Sequence, residues 1–554
     1  MLLRQPLALA WFGLALLFAP GASCSRSDGE VYRESLVLTP FSDGKLHSEF
    51  RFDLSGPWQV DAPHLTPNAI AQHHTLVPRL LTSLVRQYRV TSFRLTLSSG
   101  RWHPHWPLDL PAELPASGIE LVAWVEDLEH ESEQDRVERW EGFVGAVGGL
   151  FCAGIRGEGA IKETTSPGWG FEFEGDGDES RHRLQRIVMP RLAAACTESL
   201  TPFLSLLPCA SHAGLSSLLN PHRLFDGEWT SIDVGVTRLE GEIRVNLGIG
   251  SVVDPVRRDR LSGQLGRRQF SFSSVFDRTV KSACPVASSS EVQLVVPTDS
   301  VNPFVIGPDE TKTLIHIDGR DVVSWETKNA VLSGPLDVTM SWPDENSFRY
   351  RKSPSISQNS ALPISVRRLL TGHGQERGKI GVEIKNHLER EVDVIWIETW
   401  PWWVRSFVSS LRSEGDGAVV DSVVDLDYVP PIARARPTTL QVLLRLPPGS
   451  TSRHMLDYES STLWYTEYPS DANRGFSVPG ALVSLLSPED ASSAPLLKLR
   501  TPTTLVSLPL PDFSMPYNVI ILTSTTIALF FGSVLNGMLR RWYCVDVEEK
   551  IKLS

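Results

Sequence analysis

The sequence predicts a mainly β protein: β-sandwich-like domains with a few helices, followed by one C-terminal transmembrane helix. Three observations carry this reading. Apolar residues alternate with polar ones in short runs along most of the chain, punctuated by Gly, Pro, Asn and Asp, as in half-buried antiparallel strands. Few stretches repeat apolar residues at helical spacing. One uncharged run, Tyr517 to Leu539, is long enough as a helix to cross a hydrocarbon core of about 30 Å.

The chain opens Met1-Leu2-Leu3-Arg4, then runs apolar from Leu7 to Ala19 and ends that stretch with Pro20-Gly21-Ala22-Ser23-Cys24. A basic start, a short apolar centre and small exit residues predict a signal peptide over 1–24, cleaved after Ser23 or Cys24. The alternative, a lipidated Cys24, wants Leu or a similar residue three positions earlier, where Gly21 stands. The body that follows is about 490 residues, long enough for more than one core.

Strands come next. Phe93, Leu95 and Leu97 alternate with Ser92, Arg94 and Thr96, and the same pattern recurs at Ile232–Val236, Ile243–Leu247, Val292–Leu294, Leu336–Met340 and Val382–Ile384. Val392–Ile397 and Leu440–Leu446 are denser apolar runs, as for strands covered on both faces. Three helices are expected. Pro78 to Tyr88 places Leu80, Leu81, Leu84 and Tyr88 on one face; Glu131 to Phe151 is apolar only in its later half; a third follows Pro202. Gly154 to Ser180, rich in glycine and acids, and Pro343 to Pro363, rich in Ser, Pro and Asn, read as exposed loops. Prolines at 285, 297 and 303 suggest a boundary, giving domains over 25–290 and 291–512.

At the far end, Pro511, Asp512 and Pro516 predict a helix that starts no earlier than Pro516, and Arg540 and Arg541 follow the span. The positive-inside bias puts residues 540–554 in the cytosol and the body in the lumen or outside the cell. A GPI-attachment signal would end in its apolar tail; here Arg540, Arg541, Glu548, Glu549, Lys550 and Lys552 lie beyond it. Lys550-Ile551-Lys552-Leu553-Ser554 matches the K-x-K-x-x pattern that returns type I membrane proteins to the endoplasmic reticulum; the plain alternative is a charged tail.

A net charge of −12 over 554 residues supplies no basic stripe, so nucleic acid is not an expected partner. Six cysteines are few for a chain this long, so apolar cores must carry the fold. Cys152, Cys196, Cys209 and Cys284 remain on the lumenal side. No Asn-x-Ser/Thr acceptor occurs. No nucleophile elbow, H-E-x-x-H, P-loop or dinucleotide fingerprint is found, and no cofactor or metal is expected. His103 and His105, in a Trp-rich turn, lack clustered Cys or acid partners. Glu174 to Glu179 lacks the spacing of a calcium loop. Neither Cys152 nor Cys196 sits in a thiol-protease signature.

Several ordered motifs do carry a resemblance. Pro511-Asp512-Phe513-Ser514-Met515-Pro516-Tyr517-Asn518, with the span behind it, closely resembles the juxtamembrane signature of the PIG-T family. Other elements of the family are resembled, in order, by Tyr32–Pro40, Ser117–Leu121 with Trp124, Gly149–Ala153, Cys196–Pro202 with Leu207-Pro208-Cys209 and Ala213-Gly214-Leu215, Cys284-Pro285, Trp400–Arg405, and Trp464–Tyr468 with Asp471, Asn473, Gly475 and Phe476. The inserts after Cys152 and at 343–363 depart from the family pattern. The resemblance implies a non-catalytic subunit of the GPI transamidase, which attaches glycolipid anchors to proteins in the endoplasmic reticulum. It implies a single-pass type I membrane protein that stabilises the complex. Its implied partners are a caspase-like catalytic subunit, disulfide-linked through Cys196, the other membrane subunits, and GPI lipid or precursor proteins.

Given one intermolecular bond at Cys196, Cys152–Cys209 is the preferred internal pair and Cys284 is left free and buried; a Cys196–Cys209 bridge is the alternative. Ser533 and Gly537, with Gly532 and Asn536 beside them, suit the span for a partner helix; a lone lipid-facing anchor is the alternative. The rival function is a single-span β-sandwich receptor or adhesion protein at the cell surface, which the dilysine-like tail disfavours.

Overall fold

The computed structural model describes residues 29–543 except 59–74, 105, 109–111, 116, 156–163, 191–193, 298–301, 318, 350–361, 373–374, 416–417, 420, 469–471, 488–494 and 511–513. The signal-peptide, Lys550 and Lys552 readings lie outside the described residues.

Strands β1 (Val31–Pro40), β2 (Leu46–Pro57), β3 (Val90–Gly100), β4 (Ala112–Glu113), β5 (Gly118–Glu126), β6 (Thr164–Thr165), β7 (His182–Met189), β8 (Trp229–Leu239) and β9 (Glu242–Val253) come first. β10 (Phe270–Ser271), β11 (Ser289–Val295), β12 (Val305–Gly307), β13 (Thr313–Ile317), β14 (Arg320–Glu326) and β15 (Thr339–Ser341) follow. One 11-stranded sheet runs β13-β14-β11-β1-β2-β9-β8-β3-β5-β7-β6, and β10, β15 and β12 form a small second sheet. Period-two burial is explicit on β1, where Tyr32, Glu34, Leu36 and Leu38 point inward. That inward face packs against helices α1 (Arg79–Tyr88), α2 (Glu133–Leu150) and α3 (Thr197–Ser205), and against the small sheet through Phe270, Ile306 and Met340.

The helices follow their sequence signals with adjustments. On α1 the buried stripe is Leu81 and Val85, while Leu80 faces outward. Ser132 caps α2 by accepting from the Asp135 N–H, and its apolar face, Trp140, Phe143, Val144 and Val147, lies in the later half as expected. α3 begins at Thr197, five residues before the proline expected to precede it, so Pro202 sits inside the helix. Proline there removes one internal hydrogen bond; burial of Leu200 and Phe203 holds the short helix in place.

The expected boundary at 290/291 is corrected. β11 pairs parallel with β1, Leu36 opposite Val292, and β13 and β14 extend the same sheet. The first core continues through Leu336, Val338, Met340 and Trp342. The second core starts at β16 (Ile364–Thr371), after the Ser- and Pro-rich stretch.

That second core is a sandwich. β16, β17 (Arg377–Asn386), β23 (Thr451–Ser460), β19 (Val404–Gly415) and β20 (Ala418–Val419) make one sheet. β21 (Val423–Val429), β22 (Thr438–Leu446), β18 (Val392–Trp400), β25 (Leu482–Leu485) and β26 (Leu497–Arg500) make the other, with β4 from the N-terminal part as its sixth strand. Trp396, Trp400, Ile380, Val382 and Leu456 fill the space between them. Arg368 on β16 crosses that core to Glu398 on β18, 2.7 Å away, and both side chains are almost fully buried. β24 (Phe476–Val478) pairs with β27 (Thr504–Val506) beside the sandwich. The C-terminal helix, Ser514–Leu539, opens two residues before the expected start at Pro516, since a proline in the first turn removes no internal hydrogen bond; it contains the Tyr517–Leu539 stretch, which is long and apolar enough to cross a membrane.

The two parts are joined at a wedge of charge and aromatic rings. Part of the expected Gly154–Ser180 loop is not exposed: Trp169 and Phe171 pack on Ile395, Ile397 and Leu482, and the Trp169 N–H donates to the Gln441 side chain. Trp102 and Trp106, from the Trp-rich turn, pack with Phe41 and Trp229. Beside them, Arg186 donates to Glu120 (2.9 Å), Arg500 lies 2.7 Å from the other Glu120 oxygen, and Arg500 donates to Glu113 (2.7 Å) and to the Leu114 carbonyl (2.7 Å). Arg94 extends the chain of charges, donating to Glu113 (2.8 Å) and Asp233 (2.7 Å). Burial pushes the Glu120 carboxyl up, but Arg500 and Arg186 outweigh it and hold it below the usual carboxylate range.

Arg500 and Glu120 are only 3% and 4% exposed, whereas Arg94 is half-exposed. Removing one member of a buried pair leaves an uncompensated charge and costs about 3–5 kcal/mol, against about 1 kcal/mol or less at an exposed pair. Arg500→Met should therefore destabilise the protein several-fold more than Arg94→Met in chemical denaturation. Equal losses would show that this junction is not held by its buried charges.

Candidate site at the head of helix α3

Cys196 occupies the N-cap of α3, with extended backbone angles (φ −145°, ψ 173°). The preceding residue is clamped. Ser99, at the end of β3, donates through its hydroxyl to the Ala195 carbonyl (3.2 Å) and accepts from the Ala195 N–H (3.0 Å). Leu200, Phe203, Leu206 and Leu207 bury the rest of the helix in the first core, and Phe203 meets Phe52 edge-on. The helix is thus anchored by its inner face while its head stays at the surface. The Cys196 Sγ lies 3.3 Å from the Ser199 hydroxyl, is half-buried, and carries no disulfide. A hydrogen bond from Cys196, with its own backbone N–H and the Thr197 hydroxyl, holds the exposed Glu198 carboxyl below its ordinary value.

The expected Cys152–Cys209 pair is corrected. Cys209 is bonded to Cys284, with Cα atoms 6.0 Å apart, inside the usual disulfide range. Cys284 is therefore buried, as expected, but not free. The reason is tertiary. The turn after α3 folds back onto the 280–285 segment, where the Gly214 N–H donates to the Ser282 carbonyl at 2.8 Å. That contact brings Cys209 to Cys284. Cys152 instead follows Phe151, the buried C-cap of α2, in a left-handed conformation (φ 51°), and is exposed and free. The alternative Cys196–Cys209 bridge is likewise absent, since Cys209 is taken.

A second tie holds the same turn, and sequence reasoning missed it. Glu34 on β1 is 1% exposed. It accepts from the Leu215 N–H (3.1 Å), the Ser290 hydroxyl (2.6 Å) and the Tyr32 hydroxyl (3.2 Å). Gly214 adopts φ +71°, and a Cβ there would fall 2.4 Å from a Glu34 oxygen, which explains why the Ala213-Gly214-Leu215 element needs its glycine. The signal was available: Glu34 stands at an inward phase between Tyr32 and Leu36, where an acid must be satisfied by buried donors. Burial, partly offset by its three donors, raises the Glu34 carboxyl above its ordinary value.

The linkage sign follows from that direction. A carboxyl raised in the folded state contributes no charge penalty below its unfolded pKa of about 4.3, and stability is lost as pH rises through the folded value. Glu34→Gln keeps an acceptor and removes the titration. The melting temperature of the wild type relative to Glu34→Gln should therefore fall as pH rises through the window above the unfolded carboxyl value of about 4.3. A difference that stays constant across that window would mean that Glu34 is not raised.

The Gpi16 family, described as "Gpi16 subunit, GPI transamidase component", matches residues 15–554. The human protein named "GPI-anchor transamidase component PIGT" is 29% identical over 582 residues, covering 97% of this chain and 95% of that one. The mouse protein of the same name is 30% identical over 583 residues, with 97% and 95% covered. "GPI transamidase component GPI16" of Saccharomyces cerevisiae is 29% identical over 567 residues, covering 94% and 90%. With the whole body and the C-terminal helix matched, the chain belongs to the Gpi16 family of GPI transamidase components.

Proposed function

We propose that this chain is a non-catalytic subunit of the GPI transamidase complex. It stabilises the complex and the caspase-like catalytic subunit during anchor attachment in the endoplasmic reticulum. The observation that carries this reading is the division of labour among the cysteines. Cys209 and Cys284 satisfy each other, while Cys196 is a free, half-buried thiol held at the head of a fixed helix. A rigid surface thiol suits a bond to another chain, because the anchored helix loses little freedom when the bond forms. Cys196 is therefore assigned the link to the catalytic subunit, and Cys152 no bond at all.

The reading includes a signal peptide over 1–24, a lumenal body, the span Tyr517–Leu539 and a cytosolic tail, making a single-pass type I membrane protein. Its partners are the catalytic subunit and the other membrane subunits, with GPI lipid or precursor proteins nearby. A change of domain near 343–363 is supported by the change of core there. The cell-surface receptor reading is not favoured by the family membership.

Cys196→Ser should remove a reducible higher-mass band on non-reducing gels and lower transamidation, while expression holds. Cys209→Ser opens a loop of 75 residues, which in the chain-entropy model costs about 4 kcal/mol, so it should lower expression but keep the mixed-chain band in what survives. A band that persists in Cys196→Ser rules out the assignment.

Lys550 and Lys552 are assigned retrieval to the endoplasmic reticulum. Replacing both by Ser in a reporter fused to the span and tail should release it to the cell surface. A reporter retained as well as the wild type would remove the tail from the account.

A further inference from the structure

The end of the sandwich where β18 stops and β22 begins carries an aromatic platform. Trp400 pairs with Thr438 there; Trp402, partly buried against the sandwich core, and the 430–437 loop come just past these strand ends in the chain. The Arg434 guanidinium is sandwiched between two rings, 3.7 Å from the Trp464 centroid and 4.7 Å from that of Trp402. Glu467 grips the same guanidinium with both oxygens, at 2.6 and 3.1 Å, and accepts from the Trp464 backbone N–H at 2.6 Å. These contacts fix the ring positions and cancel the charge. The Arg434 charge is therefore paired beneath the rings, while Arg436 in the same loop is exposed and donates to the Pro430 carbonyl. Trp464 is 62% exposed, and its neighbour Tyr465, Ile432 two residues before Arg434, and Leu510 next to Pro509 are also exposed.

This platform is tethered to the C-terminal helix. The Tyr468 hydroxyl donates to the Pro509 carbonyl at 2.7 Å. From Pro509 the chain has five residues before Ser514 opens the helix, a reach of about 17 Å at most. A surface so tied cannot lie far from the plane at which the helix enters a bilayer. Trp and Tyr are the side chains that favour that plane, with an apolar ring and a polar edge.

We propose that the Trp464–Tyr465 face, with Ile432 and Leu510, is a membrane seat that rests in the lumenal headgroup zone of the bilayer crossed by the C-terminal helix, with phospholipid as its partner. Because Glu467 neutralises Arg434, the two rings can enter the headgroup zone without carrying that charge in unpaired. The seat rests on the reading of Tyr517–Leu539 as a span. It adds a second contact that fixes the orientation of the sandwich over the membrane, so that the lumenal body does not swing freely on its linker.

The test uses the full-length protein in phosphatidylcholine nanodiscs, with the photoreactive residue p-benzoylphenylalanine in place of Tyr465, of Leu314 or of Phe530, one at a time. Leu314 is an exposed control on β13, and Phe530 lies mid-helix. The expected result is a phospholipid adduct at 465 and 530 and none at 314, read by mass spectrometry. A lipid adduct at 530 with none at 465, or only protein adducts at 465, overturns the seat and leaves the span intact. Absence of lipid at 530 overturns the span reading itself.

Discussion

The fold depends most on one junction, the buried charges around Glu120. Two arginines approach this carboxylate from different parts of the chain: Arg186 from the neighbouring strand β7, and Arg500 from the last strand of the sandwich. Arg500 is the reason the two cores form one body at this point. Its guanidinium meets Glu120, Glu113 and the Leu114 carbonyl, all on the N-terminal side, and β4 completes the sandwich sheet beside it. Each group is expensive to bury alone and tolerable only when all are present. That makes the junction specific: a shifted register of β26 against β4 would strand a charge.

Aromatic packing reinforces the same seam. Trp169 and Phe171 lie on the outer face of the sandwich, and Arg186 also stacks over Phe171. A glycine-rich stretch that reads as solvent-exposed becomes a clasp because its two aromatics find an apolar strip on Ile395, Ile397 and Leu482. The candidate site is built in the same manner. Ser99 clamps Ala195, the Glu34 carboxylate and the Cys209–Cys284 bond hold the turn beyond α3, and Cys196 is left at the surface. The family motifs around Cys196, Gly214 and Cys284 are distant in sequence but belong to one local structure.

Much of this was legible in the chain. The inward phase of β1, the later-half apolar face of α2, the doubly covered strands β18 and β22, and the apolar C-terminal helix all follow from periodicity, which reports local burial. Their absence of charge or their alternation is a property of neighbouring residues, so no long-range information is needed. The motif order pointed to the family for the same reason: it can be read residue by residue.

What only the tertiary structure decided are the long-range pairings. Prolines near 285–305 mark turns but not a boundary, because whether β11 begins a new domain depends on which strand it pairs with, and it pairs with β1. Cysteine spacing cannot choose among partners; the bond joins Cys209 to Cys284 because the turn after α3 docks beside Ser282, a contact between residues far apart in the chain. Sequence by itself determined the strand content, the membrane-length helix and the family. The three-dimensional fold decided the disulfide, the extent of the first sheet and the buried charges that join the two cores, since each depends on groups that meet only after the chain has closed.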